Sequence, residues 1–173
     1  MSISTRRGDD GETDLMFGRR VRKDHPRVVA TGSVDELNAA LGLARASGDT
    51  ELGVFLAAVQ EDLIVLMGEV ATLPEDSGVY DEKGFKCFGG ERIAKLDERV
   101  AAIEGEAITF EGWALPGAGG DMAAAHLDHA RTVCRRAERD LLAVGDPVGA
   151  ELGRYLNRLS DALWLSARKR EAG

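Results

Sequence analysis

Aromatic residues are scarce, 5% of 173 residues, and cysteine is scarcer, with only Cys87 and Cys134. Two cysteines so far apart match no zinc or redox spacing, which argues against a disulfide framework and predicts a reduced, cytoplasmic setting. No run of about 18 apolar residues occurs, so no membrane-spanning helix is expected. The first fourteen residues are polar and charged and lack the apolar stretch of a secretory leader. Internal repeats, low-complexity tracts and convincing strand-like alternation are also missing, which leaves helices as the main building material. Basic residues are outnumbered, 22 Lys plus Arg against 30 Asp plus Glu, for a net charge of -8. That balance opposes general affinity for nucleic acid or an anionic membrane, so any anion site must be local.

Hydrophobic residues make up 44% and charged residues 30%, the balance of a globular chain with a core of Leu, Val and Ala. The length suits one domain over residues 1–173. Gly8, Gly11, Gly18 and Pro26 lie among many charges, which predicts irregular backbone over 1–30 and a helical bundle over 31–173. Ser33 and Glu36 read as a capping box that starts the first helix after Gly32. A second helix opens near Asp49 and closes before Pro74, and residues 74–90 receive no assignment. A third spans Ile93 to Ile103, ending at Gly105. A fourth runs from Asp121 to Leu142 with Met122, Ala125, Val133, Ala137 and Leu141 inward, and a fifth from Val148 to Arg170. Five helices without a sheet predict an all-α, up-and-down bundle.

The chemistry concentrates in three places. Arg131, Arg135 and Arg139 recur every four residues, so they stack on one helical face over roughly 12 Å, the reach of a polyphosphate. Guanidinium forks suit phosphate oxygens, although a solvated stripe paired with Glu138 and Asp140 has the same pattern. The run Thr5-Arg6-Arg7-Gly8-Asp9-Asp10-Gly11-Glu12-Thr13 combines glycines, a hydroxyl and carboxylates, as a loop for a magnesium-bound phosphate would, and as a plain turn also would. Lys23 stands nearby. Asn157 and Asp161 lie one turn apart on the last helix, where they could read a ribose or base edge or simply bond between helices. His126, Asp128 and His129 lack an evident third ligand for a metal.

These segments resemble the PduO-type ATP:cobalamin adenosyltransferases. Six carry the resemblance in order: Thr5 to Gly11, Arg20 to Asp24, Gly32 to Asn38, Trp113 to Gly117, Arg131 to Arg139, and Leu156 to Asp161. Residues 74–110 resemble the family only loosely. The resemblance implies a ferritin-like five-helix bundle, with an irregular N-terminal nucleotide loop, assembled as a homotrimer with active sites between subunits. It implies transfer of the 5′-deoxyadenosyl group of ATP to the cobalt of cob(I)alamin, giving adenosylcobalamin and triphosphate, with Mg2+. Because the reduced cobalt is the nucleophile, no protein nucleophile is needed; the protein positions two substrates and stabilises the departing triphosphate.

By motif, Thr5, Arg6, Arg7, Gly8, Asp9, Gly11, Thr13 and Lys23 are implied to wrap the ATP phosphates. Arg135 and Arg139 are implied to contact the nucleotide, Asn157 to complete its pocket, and Glu138 to lie near the metal or ribose. Asp35 is implied to pair with Arg131 across the subunit boundary beside the corrin, and Trp113 to pack beneath the corrin. Together with Arg135, this pair forms the expected catalytic set. Transient contact with a corrinoid reductase or a cobalamin-dependent enzyme follows as well. Two departures fall on the phosphate loop, Arg7 before Gly8 and Glu12 before Thr13. They motivate an alternative, a catalytically weak relative that binds nucleotide or corrinoid as a sensor or carrier.

Overall fold

The computed structural model describes residues 6–106 and 113–172, so Thr5 lies outside the described residues. Its helices are α1 (Pro26–Ser47), α2 (Thr50–Val70), α3 (Ser77–Glu82), α4 (Glu91–Glu104), α5 (Met122–Leu142) and α6 (Pro147–Ala172). Five are long, as expected, and α3 is a short sixth inside the connection left unassigned. Among the described residues, no helix is long and apolar enough to cross a membrane.

Side-chain links between helices fix their directions. Ser33 and Glu36 of α1 meet Asp140 and Arg136 of α5, and Ser47 meets His126, so α1 and α5 are antiparallel. Asp62 and Asp49 at α2 meet Tyr155 and Arg170 of α6, again antiparallel. Asp97 and Glu106 meet Arg158 and Lys169, so α4 runs alongside α6 in the same sense. The long helices therefore alternate up and down along the chain. α5 lies between α1 and α6, α2 packs mainly on α1, and α4 packs on α6. Fully buried Ala124, Ala130 and Ala137 on α5 let its neighbours approach closely, and Leu37, Leu41, Leu156, Leu159 and Leu163 fill the space between.

Residues 12–30 correct the expectation of irregular backbone. β1 (Glu12–Asp14) and β2 (Arg20–Arg22) form an antiparallel hairpin in which Glu12 faces Arg22 and Asp14 faces Arg20. Opposite charges across the strands support this register. Phe17 and Gly18 both sit at positive φ, 59° and 74°, so the turn follows the strand twist. The strands are only three residues long, too short for alternation to show in the sequence. The hairpin docks on the end of α2, where the Met16 amide donates to Ala71 O (2.9 Å) and Arg19 grips Asp76 through two nitrogens (2.7 and 2.5 Å).

α1 also starts earlier than the Ser33 capping box predicts. His25 is the N-cap, its ring nitrogen accepting from the Arg27 amide (3.2 Å), and Pro26 takes the first helical turn. Ser33 is instead a buried interior residue whose hydroxyl donates to Asp140 (2.5 Å). The helix does not begin after Gly32 but runs through it, with Ala30, Val34, Leu37 and Leu41 continuing one buried face. Met122 points outward, 64% exposed, because Asp121 caps α5 and turns the first apolar residue away from the core.

Candidate active site

On α5, burial of Ala130, Cys134, Ala137 and Leu141 turns Arg131, Arg135 and Glu138 toward α6 and α4. The result is a row of three connected clefts. One of about 400 Å³ is lined by Glu138, Leu142, Gly153, Asn157 and Arg158, and Glu138 accepts from Asn157 Nδ2 at 3.3 Å. The next, about 330 Å³, contains Arg131, Arg135, Arg158, Asp161 and Trp164. A third, about 470 Å³, contains Trp113, Pro116, Asp128, Arg131, Thr132 and Trp164. Arg158 borders the first two clefts, and Arg131 with Trp164 borders the second and third. From Glu138 to Asp128 the row follows about 15 Å of helix.

The charges in this row are unevenly used. Among the described residues, Arg131 and Arg135 have no hydrogen-bonded or ion-paired side-chain partner, while Arg139 curls back to donate to Arg135 O (2.9 Å). Among the described residues, therefore, neither Arg131 nor Arg135 is paired with an acid. Asp140 is committed to Ser33. Arg136 pairs with Glu36 on the opposite side of α5. Cys134 faces the core and its S–H donates to Leu156 O (3.2 Å); burial pushes its pKa far up, which keeps it an unreactive thiol. Trp113 is 89% exposed at the outer edge of the third cleft. Asp128 beneath it pairs with buried Arg168 (2.5 Å), and His126 contacts Ser47 (3.0 Å).

The N-terminal loop is a second cluster. Backbone bonds from Asp9 to Arg6 O (3.3 Å) and from Gly11 to Gly8 O (3.2 Å) fold it into consecutive turns, with Gly11 at φ 83°. Lys23 Nζ lies over the loop on Gly8 O (2.7 Å), and a Cβ on Gly8 would press within 3.1 Å of that ammonium. Thr13 follows on β1 opposite Val21. Glu12 accepts from Arg20 (3.3 Å), and Arg7 reaches Asp14 (3.4 Å). The Glu12 amide, aided by Arg20, holds the Asp10 carboxyl below the usual carboxylate range.

The expected site residues thus fall into two groups within one chain. No hydrogen bond or ion pair among the described residues joins Arg6–Thr13 or Lys23 to Arg131, Arg135, Glu138, Arg139 or Asn157. Asp35 is exposed on α1 and does not meet Arg131; its neighbours Ser33 and Glu36 lie opposite Asp140 and Arg136, about a turn or more away along α5. The sequence reading missed Arg20, Arg158 and Trp164. Arg158 stands next to Asn157 in a motif already singled out, so a signal was present. Trp164 lies two turns beyond Asn157, in register with the same groove.

Comparison with known proteins identifies the family. The family model for cobalamin adenosyltransferase matches residues 3–170. The corrinoid adenosyltransferase PduO of Salmonella typhimurium is 38% identical over 99% of this chain, which spans only about half (50%) of that protein's length. A corrinoid adenosyltransferase of Citrobacter freundii is 39% identical over 98% of this chain and 94% of its own length. A variant PduO-type ATP:corrinoid adenosyltransferase from Lactobacillus reuteri, complexed with cobalamin and ATP, superposes with a TM-score of 0.84 at 28% identity, covering 98% of this chain and 93% of the other. With an arginine-lined groove on the expected helices and a match along almost its whole length, this chain belongs to the cobalamin adenosyltransferase family.

Proposed function

We propose that this chain transfers the 5′-deoxyadenosyl group of ATP to cob(I)alamin. A lone pair on the reduced cobalt attacks C5′, the cobalt–carbon bond forms, and the C5′–oxygen bond breaks with its electrons leaving on triphosphate. The observation that carries this reading is the pair Arg131 and Arg135, two cations without hydrogen-bonded or ion-paired side-chain partners among the described residues, in a groove that widens toward Trp113. Guanidinium groups there stabilise charge that develops on the leaving triphosphate. Asn157 and Glu138 fit the nucleoside end. Glu138 accepts from Asn157 through one carboxylate oxygen, and its other oxygen would be the one to meet a magnesium ion brought with the nucleotide. That ion would neutralise triphosphate charge. Trp113 and the third cleft would take the corrinoid.

The phosphate loop and the groove belong to one site only if a loop from one subunit meets the groove of the next. The separation of the two groups within a chain, and Asp35 and Arg131 without side-chain partners among the described residues, support a homotrimer with shared sites. The whole chain then acts as a single catalytic domain, in the cytoplasm, where Cys87 and Cys134 stay as free thiols. A corrinoid reductase or a cobalamin-dependent enzyme would be a transient partner for substrate supply or product delivery.

Replacing Arg135 with alanine tests this reading. Turnover should fall about 10²-fold or more, since one preorganised charge donor is removed from the leaving group. The circular dichroism spectrum and unfolding midpoint should stay near those of the unmodified chain, because the side chain is exposed and has no ion pair among the described residues. Undiminished turnover would exclude Arg135 from the site.

A further inference from the structure

Arg20 has more acceptors around it than any phosphate-loop residue singled out from the sequence. Its Nη2 donates to Arg7 O (3.1 Å) and to both carboxylate oxygens of Asp10 (3.1 and 3.0 Å). Nε donates to Glu12 (3.3 Å), and Nη1 lies 3.6 Å from Asp14. One guanidinium therefore joins both ends of the turn to the strand that follows it. From the other side Lys23 holds the same turn, with Nζ on Gly8 O (2.7 Å) and its amide on Gly11 O (2.9 Å).

The loop's charge explains why such a clamp is needed. Between residues 6 and 14, Arg6 and Arg7 face Asp9, Asp10, Glu12 and Asp14, an excess of two negative charges. Adding Arg20 and Lys23 brings the total to zero. A triphosphate approaching an unclamped loop would meet repulsion and would have to order the turn as it bound.

We propose that Arg20 is a positioning residue, holding the turn Arg7–Glu12 in the shape that receives the triphosphate and cancelling the loop's own carboxylates. The donors of its Nε and Nη2 are spent on the protein and Nη1 faces Asp14 at 3.6 Å, whereas Lys23 uses one donor of three on Gly8 and keeps the others for a ligand. The inference rests on the chain's being an ATP-using transferase and adds to that reading how the nucleotide loop is kept competent.

Arg20→Gln should raise the KM for ATP about tenfold, the scale of one charge-assisted hydrogen bond, with kcat at saturating ATP and the KM for cob(I)alamin within about twofold. Arg20→Lys, which keeps the charge but not the fork, should recover only part of the loss and serves if the glutamine variant does not fold. Adding Asp10→Asn and Glu12→Gln to Arg20→Gln should bring the KM for ATP back down, since fewer carboxylates then need cancelling. A KM that stays high with those carboxylates neutral would mean that Arg20 touches triphosphate itself, and an equal loss in kcat would place it in the chemical step; either result overturns the proposal. The Kd for ATP, measured by calorimetry on the same variants, separates this inference from the activity. An unmodified chain that binds ATP without turnover contradicts adenosyl transfer while still ranking the Arg20 variants, and one that binds no ATP overturns both.

Discussion

Arg27 is only 4% exposed, yet it carries a full charge into the junction between α1 and α2. Its Nη1 donates to Val70 O (2.8 Å) and Thr72 O (2.9 Å), and its Nη2 pairs with Asp146. A cation placed on the last carbonyls of a helix satisfies orphan acceptors and meets the negative end of its dipole. Arg27→Met should therefore lower stability by about 3 kcal/mol, seen as a reduced urea midpoint, because two carbonyls and a carboxylate lose their partner together. An unchanged midpoint would mean that water replaces the guanidinium freely. Legibility at this scale followed locality. Arg131, Arg135 and Asn157 were visible because helical spacing and a local motif reveal them. Arg20 and Arg27 were not, because their partners are 43 to 119 residues away in the case of Arg27, or lie across a hairpin too short to show in the sequence in the case of Arg20.

Helix ends are tied together through one residue near the end of α6. Arg170 donates to Asp121, the N-cap of α5 (2.9 Å), and to Asp49, the N-cap of α2 (2.5 Å). Arg170 and then the Ala124 amide hold the Asp121 carboxyl low, while the Leu52 amide and then Arg170 do the same for Asp49. Both folded-state values lie below those of the unfolded chain. Their contribution is therefore complete above the ordinary carboxylate range and is lost as pH falls through and below it. Asp121→Ala should cost about 1 kcal/mol at neutral pH. The gap from the unmodified chain should narrow as pH is lowered, as read from urea midpoints at stepped pH; a gap that widens in acid would contradict the assignment. These caps were partly legible, since Asp49 and Asp121 precede clear apolar periodicities. The start of α1 was misread because Ser33-Val34-Asp35-Glu36 has the capping-box pattern inside a helix whose buried face already runs from Ala30 to Ala44.

Across the whole molecule, the alternating five long helices were legible because a 3.6-residue periodicity survives in each, and the groove was legible only as separate motifs. In the proposed trimer those motifs join through contacts between subunits. Asp35→Ala and Arg131→Ala, each inactive alone, should regain activity when mixed and reassociated, with about a quarter of sites carrying both intact residues if subunits exchange at random. No recovery in exchanged trimers would argue that both residues serve the same subunit's site. The central claim is tested most directly by incubating the purified chain anaerobically with ATP, magnesium and chemically reduced cobalamin. The visible spectrum then follows cobalt–carbon bond formation, and triphosphate is measured in parallel. Adenosylcobalamin and triphosphate appearing in equal amounts is the expected result. ATP or corrinoid bound without either product would contradict adenosyl transfer and identify a sensor or carrier built on the same bundle.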